Sequence, residues 1–88
     1  MEYKVLIKIY FPCLEQSFDV YIPTTRTVQY VSLLLQKHMQ ENGFANYKIN
    51  PNAVIFNKSN GVVYEHNKLI SDTDIRNGSE LIFVSKNV

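Results

Sequence analysis

Alternation of apolar and polar residues predicts two β-strands near the start of the chain. The apolar positions that share one face of the first strand are Val5, Ile7, Ile9 and Phe11. Those of the second strand are Phe18, Val20 and Ile22. Residues 12–16 separate the two strands, so we expect them to pair as an antiparallel hairpin. Each strand would bury one face and leave the other exposed.

After Pro23 the apolar residues follow the spacing of an α-helix. The predicted apolar stripe consists of Val28, Val31, Leu35 and Met39, widened by Leu34 and His38. Thr27 is placed to cap the N-terminus, and Asn42-Gly43 is placed to end the helix after about 15 residues. The residues expected on the polar side are Gln29, Ser32, Gln36, Lys37 and Gln40.

The second half of the chain predicts short strands and one helical turn. Residues 53–56 form an apolar run typical of a strand, and Asn60-Gly61 has the composition of a two-residue hairpin turn leading into a return strand at 62–64. Residues 71–75 are expected to form one helical turn, in which Asp72 and Asp74 act locally as capping groups. Asn77-Gly78 then turns the chain into a closing strand, since both residue types tolerate positive φ.

This order of elements predicts an α+β fold of the β-grasp type. A mixed sheet of four to five strands would place the first and last strands parallel at its centre, with the main helix packed across one face. The short helical turn would precede the last strand. We expect residues 1–88 to form a single domain, because a chain of 88 residues buries one hydrophobic core.

Composition excludes several classes of function. Nine basic side chains are balanced by eight acidic ones, which gives a net charge of +1. The basic residues do not cluster along the chain, so we expect no nucleic-acid binding. No apolar run approaches the roughly 18 residues that span a bilayer, so no direct membrane insertion is expected. Cys13 is the single cysteine and cannot form an internal disulfide, which favours a cytoplasmic location.

The chain offers no group of residues suited to catalysis. A nucleophilic cysteine needs a histidine beside it, and the predicted elements bring neither His38 nor His66 to Cys13. One cysteine and two separated histidines do not make a zinc pattern. The sequence also lacks a glycine-rich phosphate loop. We therefore predict no catalytic residue, no cofactor and no metal, and the protein is not expected to be an enzyme.

A protein-binding surface is predicted on the side of the sheet that faces away from the helix. The residues expected to converge there are Leu6, Ile55, Ile82 and Val84, with Lys4 and Lys8 at the rim. This assignment turns Val54 and Phe56 toward the helix. An exposed apolar patch on a small protein marks a contact surface. The alternative is that loops cover these residues, or that they serve only as strand formers.

Several segments resemble ubiquitin over nearly the whole chain. Pro23-Thr24-Thr25-Arg26-Thr27-Val28 is similar to the loop and cap that open the ubiquitin helix, and residues 69–84 resemble its short helix and last strand. A Ser-Asp-x-x-Ile-x-Asn-Gly-x-x-Leu ending runs from Ser71 to Leu81. This ending resembles the YukD (EsaB-like) family of bacterial ubiquitin-like proteins.

The resemblance implies a cytoplasmic accessory or regulatory component of a WXG100, or type VII, secretion system. Its partner would be a protein, such as a cytoplasmic domain of a membrane secretion component, and self-association is possible. Two alternatives stay open. A modifier or sulfur carrier would need a C-terminal Gly-Gly, whereas this sequence ends Ser85-Lys86-Asn87-Val88. The other alternative is a β-grasp adaptor of a different signalling system.

Overall fold

The computed structural model describes residues 3–85. The segment 86–88, considered above for a carrier role, lies outside the described residues. The regular elements are β1 (Lys4–Phe11), β2 (Gln16–Pro23), α1 (Val28–Glu41), β3 (Val54–Asn57), a 3-10 turn (Ile70–Asp72) and β4 (Glu80–Val84).

The four strands form one mixed sheet in the order β2-β1-β4-β3. β1 pairs antiparallel with β2 and parallel with β4, while β3 pairs antiparallel with β4. Helix α1 packs across one face. This arrangement is the predicted β-grasp fold, with the first and last strands parallel at the centre.

The return strand expected at residues 62–64 is reduced to a single bridge. Val63 pairs with Phe56, and the Tyr64 N–H donates to the Ile55 carbonyl at 3.0 Å. The turn before it spans more than two residues, because the N–H of Asn57 bonds to the carbonyl of Val62 at 2.9 Å. The segment 62–64 therefore covers the outer edge of β3 without forming a fifth strand.

The turn before β4 attaches that strand to β1. The Asn77 Oδ1 accepts from the Leu6 N–H at 2.8 Å, and the Gly78 N–H donates to the Leu6 carbonyl at 2.8 Å. The Lys8 N–H then donates to the Ser79 carbonyl at 2.9 Å. Gly78 has φ +86°, which residues with a Cβ rarely adopt. The predicted Asn-Gly turn is confirmed.

Helix α1 begins and ends where the sequence predicts. The Thr27 Oγ1 accepts from the Tyr30 N–H at 3.1 Å, and Gly43 follows the helix with φ +105°. The predicted stripe residues that are buried are Val28, Val31, Leu35 and Met39. Leu34 and His38, expected to widen this stripe, are instead exposed.

One correction concerns the polar side of α1, because Ser32 and Gln36 are buried. The Gln36 Nε2 donates to the Asn50 carbonyl at 3.0 Å and to the Ser32 Oγ at 3.2 Å. Its Oε1 accepts from the Asn50 N–H at 2.7 Å and from the Tyr47 hydroxyl at 3.0 Å. The amide therefore uses both donors and both acceptor sites. These hydrogen bonds offset the cost of burying the amide, and they hold the segment after the helix against α1.

Replacing Gln36 with Ala should lower the free energy of unfolding by about 2–4 kcal/mol, because it removes four hydrogen bonds from a buried or half-buried site. The matched control is Gln29→Ala, on the exposed side of the same helix, which should change stability by about 0.5 kcal/mol or less. Urea denaturation measures both. Equal losses in the two variants would contradict the role assigned to Gln36.

Candidate protein-binding face

Five apolar side chains lie together on the sheet face opposite α1. Tyr10 of β1 is directly opposite Ile82 of β4, and Ile82 is opposite Phe56 of β3. Val54 and Val84 form the next opposed pair. We call these five residues the sheet-face cluster. Because their strand neighbours point into the core, they occupy the other face, where Tyr10 is 38% exposed and the rest are half-buried.

A row of charged residues crosses the same face beside the sheet-face cluster. Lys8 lies opposite Asp19 on one side and opposite Glu80 on the other. Beyond this row, Leu6 is paired with Tyr21. The open face is thus divided into an apolar end at β3 and β4 and a second apolar pair near the β2 edge.

The structure brings only part of the predicted surface together. Ile82 and Val84 lie on the open face as expected and belong to the sheet-face cluster. Lys8 belongs to the charged row, and Leu6 lies beyond that row. Lys4, opposite Pro23, lies farther from the sheet-face cluster along β1 than Leu6 does.

The prediction that Ile55 lies on the open face is wrong. Ile55 is 2% exposed and is opposite Phe83, whose side chain is also in the core. Val54 and Phe56 occupy the open face instead. The run of residues 53–56 is apolar throughout, so no polar residue marks which side chains face water. A shift of one residue along a strand exchanges its two faces.

Tyr10, Val54 and Phe56 are the members of the sheet-face cluster that the prediction from sequence did not place there, and Val54 was misplaced together with Phe56 and Ile55. Tyr10 shares its strand face with Lys4 and Lys8 by simple alternation, so its exposure could have been read from the pattern. Phe56 could not, because its orientation depends on pairing with β4. Tyr10 and Phe56 are aromatic, a residue class enriched at protein interfaces.

A cleft of about 290 Å³ opens beside the sheet-face cluster. Its lining residues are Lys8, Tyr10, Ser17, Lys58, Glu80, Leu81 and Ile82. Small-molecule pockets typically measure about 300–1,000 Å³, so this one lies at the lower end of that range. Apolar side chains surrounded by charged ones match the core and rim of a protein interface.

A buried tyrosine holds the irregular segment that covers β3. The Tyr64 hydroxyl donates to the Asp74 Oδ1 at 2.6 Å and accepts from the Asn57 Nδ2 at 3.1 Å. Burial, followed by the bond to the Asp74 carboxylate, raises the pKa of Tyr64 to about 12. Asp74 was expected to cap a helical turn. It instead lies outside the 3-10 turn and is the hydrogen-bond acceptor for Tyr64.

The groups considered for catalysis have separate surroundings. Cys13 is exposed in the turn between β1 and β2. The His66 Nε2 donates to the Ala53 carbonyl at 2.8 Å, and His38 contacts the Asn42 amide at 3.3 Å. Over residues 3–85, no three His, Cys, Asp or Glu side chains are grouped to hold a metal ion. Over the same range, no helix has the length and apolar character needed to cross a bilayer.

Several solved structures share this fold. The N-terminal ubiquitin-like domain of the 4931431F19Rik protein aligns with 100% of this chain and 80% of its own, at TM-score 0.72 and 11% identity. The ubiquitin-like domain of Arabidopsis thaliana At2g32350 covers 97% of this chain and 80% of its own, at TM-score 0.67 and 20% identity. A chain of the toluene 4-monooxygenase HD complex with 4-bromobenzoate covers 96% and 100%, at TM-score 0.75 and 8% identity.

No protein-family model and no curated protein sequence matches the chain. The likeness to the solved structures therefore establishes a ubiquitin-like β-grasp fold. At sequence identities of 8–20%, structural similarity shows the fold alone and is no evidence of a shared activity or partner.

The raised pKa of Tyr64 predicts a loss of stability in alkali. The unfolded chain gives up this phenolic proton near its ordinary pKa of 10.0 and the folded chain near 12. Folding therefore retains a proton between these values, and stability falls as pH rises through them. The loss should total about 3 kcal/mol and should be absent in Tyr64→Phe. Urea denaturation at pH values across this window gives the slope of the unfolding free energy against pH for the wild type and for Tyr64→Phe. Identical slopes in the two proteins would contradict the assignment.

Proposed function

We propose that this protein is a non-catalytic ubiquitin-like module that binds another protein through its sheet-face cluster. The observation that carries the proposal is the cluster itself. Apolar side chains from three adjacent strands lie side by side on a face that α1 does not cover. Contiguous exposed apolar surface on a small protein is typical of an interaction site.

The chemistry of this face favours a protein as its ligand. Lys8 and Lys58 are accompanied by Glu80 and Asp19, so the surface lacks the one-sided positive charge of a nucleic-acid site. The adjoining cleft, at about 290 Å³, lies at the lower end of the usual size range of small-molecule pockets. Tyr10 offers an aromatic ring together with a hydroxyl, and such residues are frequent among those that dominate binding energy.

For the pathway, we propose a cytoplasmic accessory or regulatory role in a bacterial WXG100 (type VII) secretion system. The Ser-Asp-x-x-Ile-x-Asn-Gly-x-x-Leu ending supports it. Much of that ending also serves the fold. Ile75 and Leu81 are in the core, and Asn77-Gly78 anchors β4 to β1. Because these roles would preserve the ending in any pathway, the pathway needs a test separate from the test of the binding face.

The binding face is tested by two tyrosines of similar exposure. Tyr10 in the sheet-face cluster is 38% exposed, and Tyr30 on the outer side of α1 is 44% exposed. The probes are the purified cytoplasmic domains of the membrane components of a WXG100 secretion machine from the same organism. We expect Tyr10→Ala to weaken binding, measured by calorimetry, about tenfold or more. Tyr30→Ala should leave it unchanged.

Three results would overturn parts of this proposal. Equal weakening by the two variants, with circular dichroism showing both folded, would contradict the sheet-face cluster as the site. Failure of every cytoplasmic domain to bind the wild-type chain would contradict the pathway. A covalent adduct or thiocarboxylate in the intact mass of the protein from its native host would favour the modifier or carrier alternative instead.

A further inference from the structure

The two edges of the sheet differ in how they are protected. The outer edge of β3 is covered by the segment 62–64, through the bridge between Phe56 and Val63. β2 forms the opposite edge, and within residues 3–85 no strand or bridge lies beyond it. A bare strand edge presents unpaired backbone groups and readily adds another strand.

The register shows which backbone groups of β2 are free. The backbone N–H and C=O groups of the even-numbered residues of β1 point toward β4. The N–H of Lys8 bonds to the Ser79 carbonyl, and the carbonyl of Leu6 accepts from the Gly78 N–H. The backbone groups of the odd-numbered residues of β1 therefore point toward β2, where they bond to even-numbered residues. The backbone groups of the alternate β2 residues point away from the sheet. Those residues are Ser17, Asp19 and Tyr21.

A groove of about 510 Å³ runs between this edge and helix α1. Its lining residues are Asp19, Val20, Tyr21, Leu34, Leu35, Lys37, His38 and Glu41. The apolar part comes from both walls, Val20 on β2 and the two leucines on α1. Leu34 is 40% exposed, which leaves apolar surface beside the free edge.

We propose that two copies of this chain associate through their β2 edges, as antiparallel neighbours in one continuous sheet. Each copy would lay its β2 strand beside the groove of the other. A two-fold axis gives both copies the same contacts and closes the assembly at a dimer.

The alternation of β2 selects one register. With Val20 opposite its own copy on the two-fold axis, Asp19 of each chain faces Tyr21 of the other, and each such pair exchanges two backbone hydrogen bonds. Placing Asp19 opposite its own copy would bring two carboxylates face to face. A shift that puts Tyr21 on the axis would oppose Asp19 to Pro23, which has no N–H to donate, and would leave one complete pair. In the chosen register Pro23 meets Ser17 at the strand end, and both Asp19–Tyr21 pairs are complete.

The charges of the groove favour a second copy as the occupant. Glu41 carries negative charge at the groove, where Lys37 and His38 offer basic groups on the same helix, and Asp19 adds a carboxylate at the strand edge. A surface with both signs can complement itself when rotated about a two-fold axis, whereas a strongly charged partner would meet repulsion from one of the signs. The dimer should accordingly depend little on salt concentration.

Sedimentation velocity of the full 88-residue chain, from micromolar to millimolar concentration, tests the proposal. The wild type should shift from monomer to dimer. Leu34→Lys should weaken the dimer about tenfold or more, because it places a charge in the groove. The matched control is Leu33→Lys, since Leu33 is 37% exposed on the same helix and does not line the groove. This control should dimerise normally.

A second variant tests the strand contact directly. Asp19→Pro removes an N–H that points away from the sheet and breaks no β1–β2 hydrogen bond. The monomer should therefore stay folded, which circular dichroism would verify. The dimer should weaken. Ile82→Lys, on the sheet face, should leave the dimer intact, which separates this proposal from the proposed function. A wild type that stays monomeric throughout would overturn the proposal, whether or not a strand of another protein binds there. A dimer that persists in both Leu34→Lys and Asp19→Pro would also overturn it.

Discussion

The parallel pairing of β1 with β4 is the constraint on which the rest of this structure depends. Parallel neighbours cannot be joined by a tight turn, so the chain between them must cross over and return. β2, α1 and β3 all lie within that crossover. The contacts of Leu6 with Asn77 and Gly78 set where β4 begins along β1. The same register places Tyr10 beside Ile82 and thereby creates the apolar end of the open face.

Two buried polar networks hold the irregular parts of the crossover in place. Gln36 fastens the chain after α1 through Tyr47 and Asn50, and Tyr64 fastens the chain after β3 through Asn57 and Asp74. A buried polar group destabilises a fold when it lacks partners, and it specifies one arrangement when every partner is present. Both networks flank β3, so the positions of Val54 and Phe56 on the open face depend on them.

The parts of the fold that were predicted correctly are those where a long periodic pattern meets a clear boundary. β1, β2 and α1 each carry several turns or alternations, and β4 follows an Asn-Gly turn. The errors have two sources: a run without alternation, and single residues of α1 whose burial depends on tertiary contacts. Residues 53–56 are apolar throughout, so Ile55 was placed on the wrong face. Gln36 was assigned to water because glutamine is usually exposed, and its partners Tyr47 and Asn50 lie in a segment without periodicity. Its burial follows from tertiary contacts that no local pattern encodes.

The sheet-face cluster on β1, β3 and β4 and the outer edge of β2 are separate surfaces of the same sheet. A chain can therefore use one for a partner while the other remains available. The sheet-face cluster is the site that we propose for a protein partner. The most direct measurement is an NMR titration of the isotope-labelled chain with the cytoplasmic domain that binds it. We expect shift changes centred on Tyr10, Phe56 and Ile82, with Leu33 on the far side of α1 unaffected. Changes confined to α1 or to the β2 edge would contradict this site.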